Sequence, residues 1–102
     1  MDGLYYGSVT LGDNLYGMIP TLNAGVPTDS DSQPTYTIFD SSGAMTSGTG
    51  TSASISGQTG LYDFTHAITS GNGYATGTTY FVRADWEFSS TAHSFYATFL
   101  VV

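Results

Sequence analysis

Nucleophilic catalysis by a serine or threonine hydroxyl needs a general base nearby, and His66 and His93 are the two histidines of the chain. Neither follows a Gly-x-Ser-x-Gly nucleophile elbow. His66 shares the apolar side of its segment with Tyr62 and Phe64, which favours a hydrogen-bonded histidine in the core or at an interface. His93 begins the last apolar segment and is expected to be exposed. We therefore expect no catalytic triad and predict that the chain is not an enzyme.

Carboxylates offer a second kind of chemistry, the binding of a cation. Asp29 and Asp31, with Asp13 or Asp40 brought in by the fold, could supply the oxygen ligands that Ca²⁺ prefers. The segment that begins at Asp29 starts like a calcium loop, but it has Pro34 where the sharp turn needs glycine. A solvated loop is the better interpretation, so we expect no metal and no cofactor. Cation binding by Asp29 and Asp31 is left open.

The pair Asp85 and Glu87 lies two residues apart and flanks the side chain of Arg83 on one face of a strand. Glycosidases use two carboxylates on either side of a scissile bond. Two acids beside the one arginine are more typical of a surface charge cluster.

The charge balance excludes several classes of partner. The 102 residues include one lysine or arginine against eight aspartates and glutamates, for a formal net charge of -7. Such a chain repels nucleic-acid phosphates and anionic lipid surfaces, because both are bound through clustered basic residues. We expect no nucleic-acid partner and no membrane partner. The chain has no cysteine for a disulfide, and it shows neither a signal-peptide pattern nor an apolar run long enough for a membrane span.

Alternation of apolar and polar residues is the main structural signal. From Thr79 to Phe88, every second residue from Tyr80 is apolar, which predicts a strand with one buried face. The segment from His93 to Val102 is apolar on both faces and predicts a strand covered on both sides. Weaker patterns predict further strands at Leu61–Ile68, Pro34–Asp40, Thr46–Ser56, Tyr5–Leu11 and Leu15–Ile19.

These patterns predict an all-β fold in a single domain that spans residues 1–102. Gly12, Asp13 and Asn14 separate the first two strands and predict a hairpin, so residues 1–33 are expected to form an N-terminal hairpin or arm. The segment from Asn23 to Pro34 is the longest connection; it crosses between sheets or extends as an arm. Short strands joined by turns are typical of an antiparallel β-sandwich.

Aromatic residues make up 15% of the chain and suggest binding surfaces. Trp86 lies on the predicted core face, so core packing explains it better than a sugar-binding platform. Tyr5, Tyr6 and Tyr16 are better candidates for a binding or subunit interface, where tyrosine is enriched.

The last strand supplies further interface candidates. Because it is apolar on both faces, we expect another subunit to bury part of it. The candidate interface residues there are Phe95, Phe99 and Val101.

Four segments occur in a recognisable order, namely Pro34-Thr-Tyr-Thr-Ile-Phe-Asp-Ser-Ser-Gly43, Gly60-Leu-Tyr-Asp-Phe64, Gly77-Thr-Thr-Tyr-Phe-Val82 and Phe99-Leu-Val-Val102. This order resembles small immunoglobulin-like virion proteins of tailed bacteriophages over about two thirds of the chain. The resemblance implies an immunoglobulin-like antiparallel β-sandwich of about seven strands. It brings no catalytic residues with it.

We therefore expect a non-enzymatic phage structural protein, of the kind that decorates or cements the capsid. It would assemble in the host cytoplasm onto the outer capsid surface, bind the major capsid protein and act as a homo-oligomer. The alternative is a receptor- or glycan-binding module of a phage tail, a baseplate or a cell-surface adhesin, which would bind through exposed tyrosines.

Overall fold

The computed structural model describes residues 4–102, with side chains described from Gly7 onward. This part of the chain is all-β, as predicted, and its strands make up 61% of the 102 residues. A 3-10 turn at Ser70–Asn72 accompanies the strands. The strands are β1 Leu4–Val9, β2 Asn14–Pro20, β3 Leu22–Asn23, β4 Val26–Pro27, β5 Thr35–Asp40, β6 Gly43–Thr51, β7 Ala53–Ser54, β8 Leu61–Ala67, β9 Thr79–Phe88 and β10 Thr91–Val101.

The strands form two main sheets and a small ribbon. One sheet has five strands in the order β1-β10-β9-β5-β6, and the other has three in the order β2-β8-β7. β3 and β4 pair as a separate ribbon. The pairing between β1 and β10 is parallel, whereas the other pairings of the described strands are antiparallel. The prediction of a purely antiparallel fold is therefore wrong at this edge.

The predicted N-terminal hairpin is also wrong, because its two strands lie in different sheets. β1 pairs with β10, whereas β2 pairs with β8. Between them the chain crosses from one sheet to the other. The amide of Leu11 donates to the carbonyl of Val102, and the amide of Gly12 donates to the carbonyl of Ile68. The connection thus forms backbone hydrogen bonds with both sheets. A hairpin turn would instead form its backbone hydrogen bonds between its own two strands.

The core lies between the two sheets and confirms the alternation seen in the sequence. In β9, Tyr80, Val82 and Ala84 are buried, whereas Phe81 and Glu87 are exposed. Rings from opposite sheets meet in this core: Tyr36 of β5 stacks on Phe64 of β8 with ring centroids 4.1 Å apart.

β10 has one buried face and one open face, in contrast to the prediction that both are covered. Its inward side chains pack in the core, but Tyr96 is 50% exposed on the outer side. Thr98 and Leu100, also on the outer side, are partly exposed. The apolar side chains on the outer face of β10 are therefore at least partly exposed to solvent.

The connection from Asn23 to Pro34 joins the two sheets, which is one of the two predicted possibilities. It includes the tip of the β3–β4 ribbon, where Ala24 and Gly25 both have positive φ. Two such residues in a two-residue turn match the twist of a hairpin.

Candidate binding surface

The outer side of the five-stranded sheet carries a cluster of large side chains, here named the aromatic face: Phe39, Phe81, Arg83 and Tyr96. Phe39 of β5 lies opposite Phe81 of β9, and Tyr96 of β10 lies opposite Arg83. Phe81 is 45% exposed and Tyr96 is 50% exposed. The alternation of three neighbouring strands therefore places an apolar surface around the one arginine of the chain.

Arg83 is held in the middle of this face by contacts on several sides. Its Nε donates to Oδ2 of Asp85 at 3.0 Å, and its guanidinium lies 5.1 Å from the ring centroid of Phe39. The hydrogen bond with Asp85 raises the pKa of Arg83, and the hydroxyl of Tyr96 raises this pKa further. An exposed ion pair of this kind contributes about 1 kcal/mol or less to folding. Its stronger effect is to fix the direction of the guanidinium.

The composition of the aromatic face is that of a protein interface. Arginine, tyrosine and phenylalanine are enriched at the centres of interfaces, and arginine and tyrosine are frequent hot spots. This face was not predicted from the sequence, although Phe81 gave a signal. It is an aromatic residue at a position where the alternation of β9 predicts a polar side chain.

A second exposed apolar region lies on the other layer. Tyr16, on the outer side of β2, is 73% exposed, and its place in an interface stays a prediction. Leu22 and Val26 of the ribbon are also exposed. Tyr16 thus lies on the three-stranded sheet, away from the aromatic face.

The other predicted interface residues do not join Tyr16. The side chains of Tyr5 and Tyr6 lie outside the described residues. Phe95, Phe99 and Val101 point into the core of their own chain, where Phe99 and Val101 are fully buried. Their assignment to an interface is corrected, because the inward face of β10 is covered by the second sheet.

His66 is the half-buried, hydrogen-bonded histidine that its position predicts. Its Nδ1 lies 3.0 Å from the hydroxyl oxygen of Tyr36, and its ring meets Tyr74 edge to face. Burial lowers the pKa of His66, and the backbone of Ser47 opposes this shift. The hydrogen bond of His66 Nδ1 therefore joins the buried phenol of Tyr36 and not the hydroxyl of a candidate serine or threonine nucleophile.

Asp29 and Asp31 bind backbone amides of two different loops. Oδ1 of Asp29 accepts from the amide of Gly60 at 2.7 Å. The two carboxylate oxygens of Asp31 accept from Ser89 at 3.0 Å and from Ser90 at 2.9 Å. The Ser90 and Ser89 amides lower the pKa of Asp31. Both carboxylates therefore stabilise loops through hydrogen bonds to backbone amides.

No group of three or more potential metal-ligating side chains occurs among the residues that the structure describes. The same part of the chain contains no helix long and apolar enough to cross a membrane. Asp85 is paired with Arg83, in agreement with the predicted charge cluster.

No protein-family model, curated protein or solved structure matches this chain. The aromatic face is the surface of the described residues whose chemistry best fits a binding partner.

Proposed function

We propose that this chain is a non-enzymatic structural protein of a tailed-bacteriophage virion, which decorates the outer capsid surface. It binds the major capsid protein through the aromatic face and stabilises the head as a homo-oligomer. The observation that carries the proposal is the exposure of Phe81 and Tyr96 around Arg83. Surface of this kind gains free energy when a protein partner covers it.

We further propose that the fold is an immunoglobulin-like sandwich. The order of the three-stranded sheet, β2-β8-β7, fits strands B, E and D of that fold, and β5, β9 and β10 fit strands C, F and G. Tyr80, near the start of β9, supports this assignment. Its hydroxyl accepts a hydrogen bond from the amide of Ala75 at 2.9 Å. A tyrosine at this corner, bonded to backbone a few residues upstream, is a hallmark of immunoglobulin-like domains.

The charge of the chain supports a place on the outside of a particle. The net charge of -7 disfavours contact with packaged nucleic acid. Partner binding through the aromatic face would cover Asp85, which pairs with Arg83, and would leave exposed carboxylates such as Asp13 and Asp63 in solvent.

The test is cosedimentation of the purified protein with heads that lack it, from the phage whose genome encodes the chain. We expect wild-type protein to bind, and Phe81→Ala and Tyr96→Ala each to weaken binding by about tenfold or more, as hot-spot truncations do. Tyr16→Ala is the comparison variant, because it removes an exposed ring from the second apolar region and so distinguishes the two candidate surfaces.

Failure of the wild-type protein to bind such heads would overturn capsid decoration. Equal loss of binding in the Tyr16→Ala variant would overturn the assignment of the aromatic face. Sedimentation velocity of the isolated protein tests the oligomer separately, and a monomer at all concentrations would contradict that part.

A further inference from the structure

β6 is the strand at one edge of the five-stranded sheet, and β5 is its neighbour on the inner side. Edge strands are usually protected from pairing with another chain by charged side chains, by proline or by bulges. Between Asp40 and Asp63 the chain has no charged side chain and no proline, so β6 contains neither. Its pairing with β5 is irregular between Ala44 and Thr49 and regular from Thr49 to Thr51. The regular part of β6 is therefore an edge without charge or proline.

This regular part directs backbone groups towards solvent. The amide of Ser52, just beyond it, donates to the carbonyl of Pro34 at 2.9 Å. In an antiparallel ladder, residues that bond to the neighbouring strand alternate with residues whose N–H and C=O point the other way. The backbone groups of Thr51 and Thr49 therefore point away from β5. Both threonines are exposed, and neither forms a backbone hydrogen bond to a loop among the described residues.

Gly50, between the two threonines, allows a second strand to approach closely. When two copies of β6 pair in antiparallel fashion with Gly50 opposite Gly50, Thr49 of each copy lies opposite Thr51 of the other. Each of these two threonine pairs can then exchange both of its N–H···O=C hydrogen bonds, whereas the glycines form a pair without hydrogen bonds. In such a pair the two Cα atoms are only about 4.5 Å apart, and glycine has no side chain to oppose that distance.

The charge of the chain favours a second copy as the occupant of this edge. Two chains that each carry a net charge of -7 repel each other, so they associate best through a surface without carboxylates. β6 provides such a surface. A basic partner would be attracted to the acidic surfaces of the chain and would gain no attraction at this edge. The threonine side chains of the two copies would also form cross-strand pairs, which stabilise a sheet.

Pairing of this kind has a consequence for the aromatic face. Two antiparallel strands are related by a two-fold axis perpendicular to their sheet, so the sheets of both copies become one continuous sheet. The aromatic faces of the two copies then lie on the same side of it. Two docking faces on one rigid body make the second contact with a particle intramolecular, which strengthens binding without any new contact.

We propose that two copies of this chain form a dimer through antiparallel pairing of β6 with β6, with Gly50 at the two-fold axis. This inference rests on the homo-oligomer of the proposed function and names its interface. The pairing uses neither Phe81 nor Tyr96, so docking through the aromatic face is tested separately.

Engineered cysteines test the register of the pairing, because the chain has no cysteine of its own. Thr49→Cys and Thr51→Cys are prepared as separate proteins and oxidised mildly, alone and as a mixture. In the mixture, residues 49 and 51 of different copies have Cα atoms about 5.5 Å apart, which suits a disulfide. Like residues lie diagonally, about 7–8 Å apart. We therefore expect the mixture to form linked dimers at least tenfold faster than either variant alone.

Thr65→Cys is the matched control, because it places a thiol on an exposed strand position of the other sheet. It should not form linked dimers with Thr49→Cys. Equal rates in the mixture and in the single variants, or equally fast linking through Thr65→Cys, would overturn the proposed pairing.

Sedimentation equilibrium gives a second test with unlinked protein. Thr51→Pro should raise the dissociation constant of the dimer by about tenfold or more, because it removes an N–H that donates to the other copy. Proline is tolerated on an edge strand where the N–H faced solvent, and circular dichroism verifies the fold. The cysteine test does not depend on this variant.

A dimer of unchanged strength in the Thr51→Pro variant would overturn the interface, and so would a wild-type protein that stays monomeric at all concentrations. Binding of monomeric wild-type protein to heads would overturn the dimer while leaving capsid decoration in place. Conversely, linked dimers that do not bind heads would overturn decoration and leave the pairing of β6 in place.

Discussion

The core between the two sheets and the loop from Thr28 to Pro34 are held by different forces. In the core, large rings fill the space above glycines, so that Phe64 lies over Gly17 and Tyr36 lies over Gly50. The loop is held mainly by carboxylates that accept hydrogen bonds from backbone amides, through Asp29 and Asp31. Added volume therefore destabilises the core, whereas loss of negative charge destabilises the loop.

The largest expected change in stability comes from a steric clash in the core. A Cβ at position 17 would overlap the ring of Phe64, so we expect Gly17→Ala to lower the free energy of unfolding by about 1–3 kcal/mol. Chemical denaturation measures this change. Gly71→Ala is the matched control, because a Cβ there meets nothing closer than 3.9 Å. Equal stability of the Gly17→Ala variant and wild type would show that the core relaxes around added volume.

A smaller effect concerns His66, a partly buried side chain that can take up a proton. The pKa of His66 is lowered from its ordinary value of 6.5, chiefly by burial, so the unfolded chain binds the proton more readily. The contribution of neutral His66 to the free energy of unfolding is therefore fully present above about pH 6.5. It is lost as the pH falls from there through the lower pKa of the folded state. Urea midpoints measured between pH 7 and pH 5 test this decline.

His66→Gln should flatten that decline, since glutamine does not titrate. His93→Gln is the control, because His93 is exposed and lies outside the core cluster. If the slope were unchanged in the His66→Gln variant, another group would be responsible for it.

The smallest expected effect is local and belongs to the loop. The Ser90 and Ser89 amides lower the pKa of Asp31 below its ordinary value of 3.8. The hydrogen bonds are thus fully present above about pH 4 and are lost as the pH falls through the lower folded value. Asp31→Asn should speed hydrogen exchange at the amides of Ser89 and Ser90 while leaving the core amides unchanged.

Asp63→Asn, on an exposed position of β8, is the control for removal of one negative charge. Unchanged exchange at Ser89 and Ser90 in the Asp31→Asn variant would contradict the role of the carboxylate. It would mean that the turn keeps its shape unaided, although both serines have positive φ.

Local patterns predicted the strands well and their partners less well. The alternation in β9 correctly assigned the buried and exposed sides of Tyr80, Val82 and Glu87, because neighbouring side chains of a strand point to opposite faces. A turn sequence such as Gly12-Asp13-Asn14 reverses the chain equally well within one sheet or between two. Hence the hairpin was predicted where the chain in fact crosses between sheets.

The candidate binding surface was less predictable still. The sequence indicated tyrosines as interface residues, and Tyr16 is indeed exposed. The aromatic face needed the register of three strands, since Phe39, Phe81 and Tyr96 are far apart in the chain. A local sequence pattern does not show which residues of different strands lie side by side.

The all-β class, the two faces of the strongest strand and the strongly acidic charge balance follow from the sequence alone. These properties depend on composition and on the two-residue period of a strand, which are local. Three further features appear only in the folded chain: β1 lies parallel to β10, Phe99 and Val101 are covered by their own chain, and Arg83 lies among exposed rings. Each of these depends on which segments meet across the fold, and long-range packing selects those pairs.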